Sequence, residues 1–160
     1  MTGHKTQPEK ELNWLYQTFD ALDTYHLYAA VALRQHTFVV EQNLNYQDTD
    51  WEDFYAKHIL GLDGEDLAVY ARIFLPSEND PEARIGRMVT APAYRGFGFG
   101  DKLMHKAFAC IFEEAGDVPI AMSIQTSMEK FYTKYGFERT GEDYLEAGTP
   151  HLKVVRPSSI

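Results

Sequence analysis

The stretch Arg95-Gly96-Phe97-Gly98-Phe99-Gly100 constrains this chain more than any other. The apolar run before it, Ile85 to Thr90, reads as a buried strand, and Ala91-Pro92 closes it because proline cannot donate to a ladder. After it, Leu103, Met104, Ala107, Phe108, Ile111 and Phe112 recur at helical spacing, so a helix starts between Gly98 and Asp101 and runs to about Ala115. Strand, glycine-rich turn and helix start together aim backbone N–H groups and the positive end of a helix at one spot, which suits phosphate. Glycine serves there because a side chain would block close approach and because a positive φ costs it little. Arg95 adds a guanidinium fork that matches two phosphate oxygens. The alternative is a plain strand-to-helix connector, since glycine also marks ordinary turns. The stretch lacks the Lys-Ser/Thr ending of a P-loop and spaces its glycines as Gly-x-Gly-x-Gly. Nucleoside-triphosphate hydrolysis and a dinucleotide fold are therefore disfavoured.

A chain of 160 residues suits one domain over residues 1–160, with residues 1–10 expected as a flexible tail. Hydrophobic residues at 44% and aromatics at 14% are ample for a packed core. The net charge of −9, from 15 basic and 24 acidic residues, argues against a nucleic-acid partner, whose affinity depends on neutralising phosphates. It fits an amine-bearing substrate better. The single cysteine, Cys110, excludes an internal disulfide and a cysteine-rich metal site, and its apolar helical neighbours suggest an inert core thiol. The polar opening from Met1 to Glu11 has no apolar signal core, and no run reaches the length of a membrane span. No membrane partner is expected, and the reading is cytoplasmic.

In chain order, Leu12 to Phe19 is a first strand, and Asp23 or Thr24 caps a helix carrying Leu27, Tyr28, Val31 and Arg34-Gln35. Asn43 to Asp53 has no clean period and reads as a loop with a short helix. Ile59–Leu62 and Leu67–Leu75 flank the turn residues Asp63-Gly64-Glu65-Asp66 as a hairpin. Pro76 to Glu82 is a polar loop. Ile120 to Gln125 is a short buried strand, and Thr126-Ser127-Met128-Glu129 reads as a capping box. The helix it opens places Met128, Phe131, Tyr132 and Tyr135 on one face and ends at Gly136. Phe137–Glu142 and Leu152–Val155 are the last strands, joined by a loop containing Gly148. The fold class is α/β (α+β), with a mixed, mostly antiparallel central sheet flanked by helices.

The glycine turn resembles the acyl-CoA signature of the GNAT N-acetyltransferases, Arg/Gln-x-x-Gly-x-Gly/Ala, and the element order resembles their fold. Several further stretches resemble the ElaA branch of bacterial acetyltransferases. They are Thr37–Gln42, Tyr46-Gln47-Asp48-x-Asp50, His58–Gly61, Tyr70–Ile73, Ile85-Gly86-Arg87 and Gly148-x-Pro150-His151. The resemblance implies acetyl-CoA as co-substrate and no metal. It implies that Met88, Val89 and Thr90 pair with the pantetheine arm, and that Arg95, Gly96, Phe97, Gly98, Phe99, Gly100 and Asp101 hold the phosphates. Gln125 and Tyr132 complete that cofactor set. Tyr132, in Phe131-Tyr132-Thr133-Lys134-Tyr135-Gly136-Phe137, is the implied acid for the CoA thiolate, with core packing as its bland alternative. The acceptor is expected to be a small-molecule or peptide amine, and a homodimer is compatible with this reading.

For the acceptor side the residues suggest Glu41, Tyr46, Asp48, Asp50, His58, Arg72, Arg87 and His151 as substrate-binding, with Glu41 or His58 as the base. Glu41 follows Phe38-Val39-Val40, where the chain is expected to enter the core, so it needs a partner. Arg72 or Arg87 is the expected one. The acidic run Asp48-x-Asp50-x-Glu52-Asp53 is not an EF-hand, because Asp53 and Ile59 stand where glycine and glutamate are needed. A solvated acidic loop is its first reading and a pocket wall its second. His58 and His151 lack metal-ligand spacing. Two other functions stay open: acyl transfer like that of acyl-homoserine lactone synthases, which Arg34-x-x-x-Phe38 echoes, and a non-catalytic CoA-binding sensor or interaction module.

Overall fold

The computed structural model describes residues 10–159; the expected tail falls almost wholly on residues 1–9, outside the described residues. The strands are β1 (Asn13–Thr18), β2 (Lys57–Asp63), β3 (Asp66–Phe74), β4 (Ala83–Thr90), β5 (Ile120–Gln125), β6 (Glu138–Glu146) and β7 (Thr149–Arg156). They form one seven-stranded sheet in the order β1-β2-β3-β4-β5-β7-β6. Every neighbouring pair is antiparallel except β4 and β5, which are parallel.

Helices cover both faces of the sheet, which is why β2 and β3 are almost continuously buried rather than alternating. On one face, α2 (Phe99–Ala115) sets Leu103, Met104, Ala107, Cys110 and Ile111 at helical spacing against Ile59, Ala71, Ile73, Ile85, Met122 and Val154. Each large aliphatic side chain so buried contributes about 1.5–3 kcal/mol. Phe112, expected on that stripe, faces outward at 65% exposure. On the other face, Ala30 and Leu33 of α1 (Thr24–Arg34) pack with Leu60, Leu62, Tyr70 and Val89. Asp23 is the cap of α1, its Oδ1 accepting from the His26 N–H at 2.7 Å.

Three local features differ from the sequence expectation. Beyond Arg34 the chain does not leave the helix but widens into a π-helical segment, Gln35–Glu41, whose Val40 is exposed. No capping box forms at Thr126: Thr126–Met128 is a 3-10 turn leading into the short α3 (Glu129–Thr133), and the Glu129 carboxylate pairs instead with Arg139 at 2.8 Å. The last hairpin is longer than expected. Ala147 and Gly148 both have positive φ, 49° and 78°, forming the two-residue turn whose twist suits a hairpin. Glu146 therefore pairs with Thr149 and Tyr144 with His151.

Candidate functional site

The central feature is a divergence in the sheet. Strands β4 and β5 pair only at Ala83–Ile120 and Arg84–Ala121, then part. From Ile85 onward β4 has no β5 partner, so an edge of backbone donors and acceptors opens into a cavity of about 590 Å³. The cavity is lined by Ile85 to Met88 on one side, Ala121 to Gln125 on the other, and Tyr132 of α3. A second cavity of about 340 Å³, bounded by Met88, Val89, Thr90 and Arg95, continues it toward the glycine turn, because Met88 and Gln42 line both. Above the opening the Gln125 amide donates to the Gln42 side-chain carbonyl at 2.9 Å.

A β-bulge redirects β4 at this place. Tyr70 pairs with Val89 and Arg72 with Gly86, so Arg87 and Met88 together oppose Ala71. Arg87 sits at φ 51°, in the left-handed region that a non-glycine residue occupies at a cost of about 1–2 kcal/mol. Its guanidinium explains why it stays there. Arg87 Nε lies 2.9 Å from Asp48 Oδ1, and its Nη2 lies 3.3 Å from Asp50 Oδ2.

That ion pair is part of a network of three arginines and three aspartates. Arg34 of α1, 1% exposed, contacts Asp48 Oδ2 and Asp53 Oδ1, each at 2.8 Å. Arg72 of β3 holds both oxygens of Asp50 at 2.8 Å and also reaches Asp53 at 3.0 Å. Burial pushes the Asp50 carboxyl up, but the Arg72 guanidinium outweighs it and holds the group at about 2. Asp53 is likewise lowered, burial being overcome by Arg34 and Arg72. The acidic run is therefore not a solvated loop. It is the buried counter-charge that fixes residues 48–53 against β3 and β4, and neither Asp48 nor Asp50 lines the cavities.

Two further expected acceptor-side residues lie outside the large cavity, Glu41 bordering the smaller one. Glu41 does not meet Arg72 or Arg87: it is exposed at the end of the π-helical segment and accepts from both terminal nitrogens of Arg95, at 2.6 and 3.0 Å. This hydrogen bonding to Arg95 holds its carboxyl below the ordinary value, making it a weaker base. The same pairing, with Arg95 Nε donating to the Thr90 carbonyl at 3.1 Å, already occupies the fork expected to meet phosphate. His58 is 1% exposed and outside the cavity lining. Its Nε2 lies 2.9 Å from the Asp53 carbonyl, which can only accept, so Nε2 carries the proton and Nδ1 accepts from the Tyr70 hydroxyl at 2.7 Å. Burial lowers its basicity, and it has no free lone pair.

The other expected residues are brought together. Tyr46, Arg72, Arg87, His151, Gln125 and Tyr132 all line the large cavity. Gly96 and Gly98 have φ of 85° and 80°, and a Cβ at either would meet nothing within 4 Å, so the turn is an open cradle. No side chain caps α2, which leaves its first-turn N–H groups without an intrahelical partner. Asp101 lies at that end but accepts from the Tyr135 hydroxyl at 2.6 Å. Tyr132 packs edge-on to Phe131 and Phe137, and burial raises its phenol above the ordinary value. Cys110 is buried on the core face of α2 with its thiol likewise raised by burial. Sequence reasoning missed Gln42, Ser123, Tyr144 and Glu146 in the lining. The Ala147-Gly148 turn was the available signal for the last two, since it sets the hairpin register.

A family model of the acetyltransferase (GNAT) domain matches residues 33–155. The protein ElaA of Escherichia coli is 37% identical over 91% of this chain and 96% of its own length. Its crystal structure superposes with a TM-score of 0.83, covering 91% of this chain and 99% of that one. An acyl-CoA N-acyltransferase from Pseudomonas aeruginosa, 33% identical with the same coverage of both chains, superposes with a TM-score of 0.87. With the family model covering most of the chain and a relative 37% identical over 91% of it, the chain belongs to the GNAT acetyltransferase family.

Proposed function

We propose that this protein transfers an acetyl group from acetyl-CoA to a primary amine by direct attack in a ternary complex. The observation that carries the reading is the open edge of β4 between the glycine turn and the large cavity. The residues present fit the co-substrate. Uncapped N–H groups of Gly98 to Asp101 would hold the pyrophosphate, where the helix end favours negative charge. Backbone groups of Met88, Val89 and Thr90 would pair with the pantetheine arm as an added half-strand, and an N–H at the bulge would receive the carbonyl oxygen as it gains charge. The thioester supplies the activated acyl carbon. Tyr132 would donate its phenolic proton to the departing sulfur, and its burial keeps that proton in place at neutral pH. A covalent acyl-enzyme is not part of this route, because Cys110 is buried on the core face of α2 with a raised thiol.

Thermal unfolding against acetyl-CoA concentration tests the reading. Binding to the folded state alone raises stability by about 2.7 kcal/mol at a hundredfold excess over Kd. The wild type gains melting temperature in proportion. Gly98→Val, which forces a β-branched residue to φ 80° and a side chain into the cradle, gains little over its own unliganded value. No shift in the wild type with either acetyl-CoA or CoA overturns the proposal.

A further inference from the structure

If the open edge of β4 binds the thioester, the acceptor enters the same cavity from the β6–β7 side. The turn at Ala147-Gly148 fixes which side chains meet there. Opposed residues in an antiparallel pair, and residues two apart on one strand, share a face. Register pairs Tyr144 with His151, and His151 in turn with Gln125 of β5. Glu146, Tyr144, His151 and Ser123 therefore project from one face, and all four line the cavity.

Their contacts form a directed chain. The Tyr144 hydroxyl donates to Ser123 Oγ, and Ser123 donates to Glu146 Oε2 at 3.3 Å. The Tyr144 ring stacks on His151. His151 Nδ1 lies 2.7 Å from the Thr149 carbonyl. A carbonyl only accepts, so Nδ1 carries the proton, and in the neutral ring Nε2 carries the lone pair. Nε2 lies 3.7 Å from Glu146 Oε2. A protonated His151 thus has a carboxylate waiting beside it.

The charges around this group single out Glu146. The cavity's cationic side chains each have a carboxylate: Arg72 has Asp50 and Asp53, Arg87 has Asp48 and Asp50, Arg84 has Asp80, and Lys153 has Glu82 at 2.9 Å. Glu146 is the one carboxylate in the lining, and among the described residues no lysine or arginine pairs with it. On the elements around His151, the titratable groups that line the cavity with it are Glu146 and Tyr144 on β6, Lys153 on β7 and Tyr132 on α3. A lone carboxylate among Tyr132, Tyr144, Phe38 and Phe74 is a site for an organic cation.

We propose that Glu146 and His151 are the acceptor subsite of this enzyme, Glu146 holding a primary alkylammonium and His151 Nε2 taking its proton. The inference rests on the acyl-transfer reading given above. The amine arrives as R–NH₃⁺ and passes one proton to His151, whose imidazolium then pairs with Glu146. The freed lone pair forms the C–N bond to the thioester carbon, and the C–S bond breaks with the proton of Tyr132 going to sulfur. Nitrogen's second proton restores the Tyr132 phenol, and His151 returns the first to solvent. The balance is one amide, one thiol and one proton released.

The test uses the full-length protein with phenethylammonium and n-butylammonium as probes, saturated with CoA. Imidazole ¹⁵N NMR of the neutral ring reads the His151 tautomer. Nδ1–H is expected, and Glu146→Gln is expected to weaken both probes about tenfold. Loss of kcat/KM for acetylation of phenethylamine in His151→Asn, with CoA affinity retained, completes the expected result. An Nε2–H tautomer, or a probe affinity unchanged by Glu146→Gln, overturns the subsite. The acyl-transfer reading fails separately, by absence of any CoA-dependent thermal shift in the wild type.

Discussion

Arg34 is the most deeply buried charge of the arginine–aspartate network. It is 1% exposed and touches both Asp48 and Asp53, so its removal leaves two buried carboxylates with one arginine each, Arg87 and Arg72. Arg34→Met is expected to cost about 3–5 kcal/mol of unfolding free energy in urea. Adding Asp53→Asn to that variant returns part of the loss; a double variant no more stable than the single one excludes charge burial as the cause. Tyr132 makes the opposite case. Its hydroxyl has no hydrogen-bond partner among the described residues, so Tyr132→Phe keeps the ring packing and leaves stability unchanged. As the acid for the leaving thiolate its loss lowers kcat by roughly 10²–10⁴ while acetyl-CoA affinity persists. A kcat equal to wild type, measured in single turnover, reduces Tyr132 to packing.

At the scale of elements, β2 depends on one close approach. A Cβ on Gly61 would lie 2.6 Å from Val69 and 3.0 Å from both Leu12 and Trp14, closer than packed carbon atoms come. Gly61→Ala therefore overpacks the β1–β2–β3 face and costs about 1–3 kcal/mol. Urea unfolding followed by Trp14 emission measures it, and a neutral substitution would mean that β1 slides freely. The helices and strands were largely legible from period and punctuation: α2, β2, β3 and β4 stand within two residues of the expected ends. The π-helical segment was not, because an apolar stripe alone does not reveal where the ladder widens. The capping box failed for a different reason. Its motif assumes a free Glu129 carboxylate, and Arg139, ten residues away, claims it.

The whole molecule is held by charge as well as by its core. Residues 48–53, α1, β3 and β4 share the network of three arginines and three aspartates, so acid acts on all of them together. The folded carboxyl of Asp50 sits at about 2, below the ordinary 3.8. A group lowered in the folded state contributes stability in full above its unfolded value, and that contribution is lost as pH falls through the folded one. Asp53 has the same sign. The stability gap between wild type and Asp50→Asn is thus expected to shrink as pH drops from 4 to 2. A gap constant across that window, in urea melts at fixed ionic strength, removes Asp50 from the acid response.

By itself the sequence determined what local physics controls. The glycine turn needs positive φ and an uncapped helix start, and both are written in six consecutive residues. The order of strands and helices follows from period and turn chemistry in the same way. Only the tertiary structure decided the partners of the charges. Arg95 and Glu41 are 54 residues apart in sequence, and Arg34 and Asp53 are 19 apart. Which carboxylate meets which guanidinium depends on sheet order, the bulge at Arg87 and the widening of the helix after Arg34, none of which has a local period. The acceptor face has the same origin: Glu146, His151 and Ser123 share it because of strand register across β5, β7 and β6. A one-residue change in that register would send Glu146 to the opposite side of the sheet.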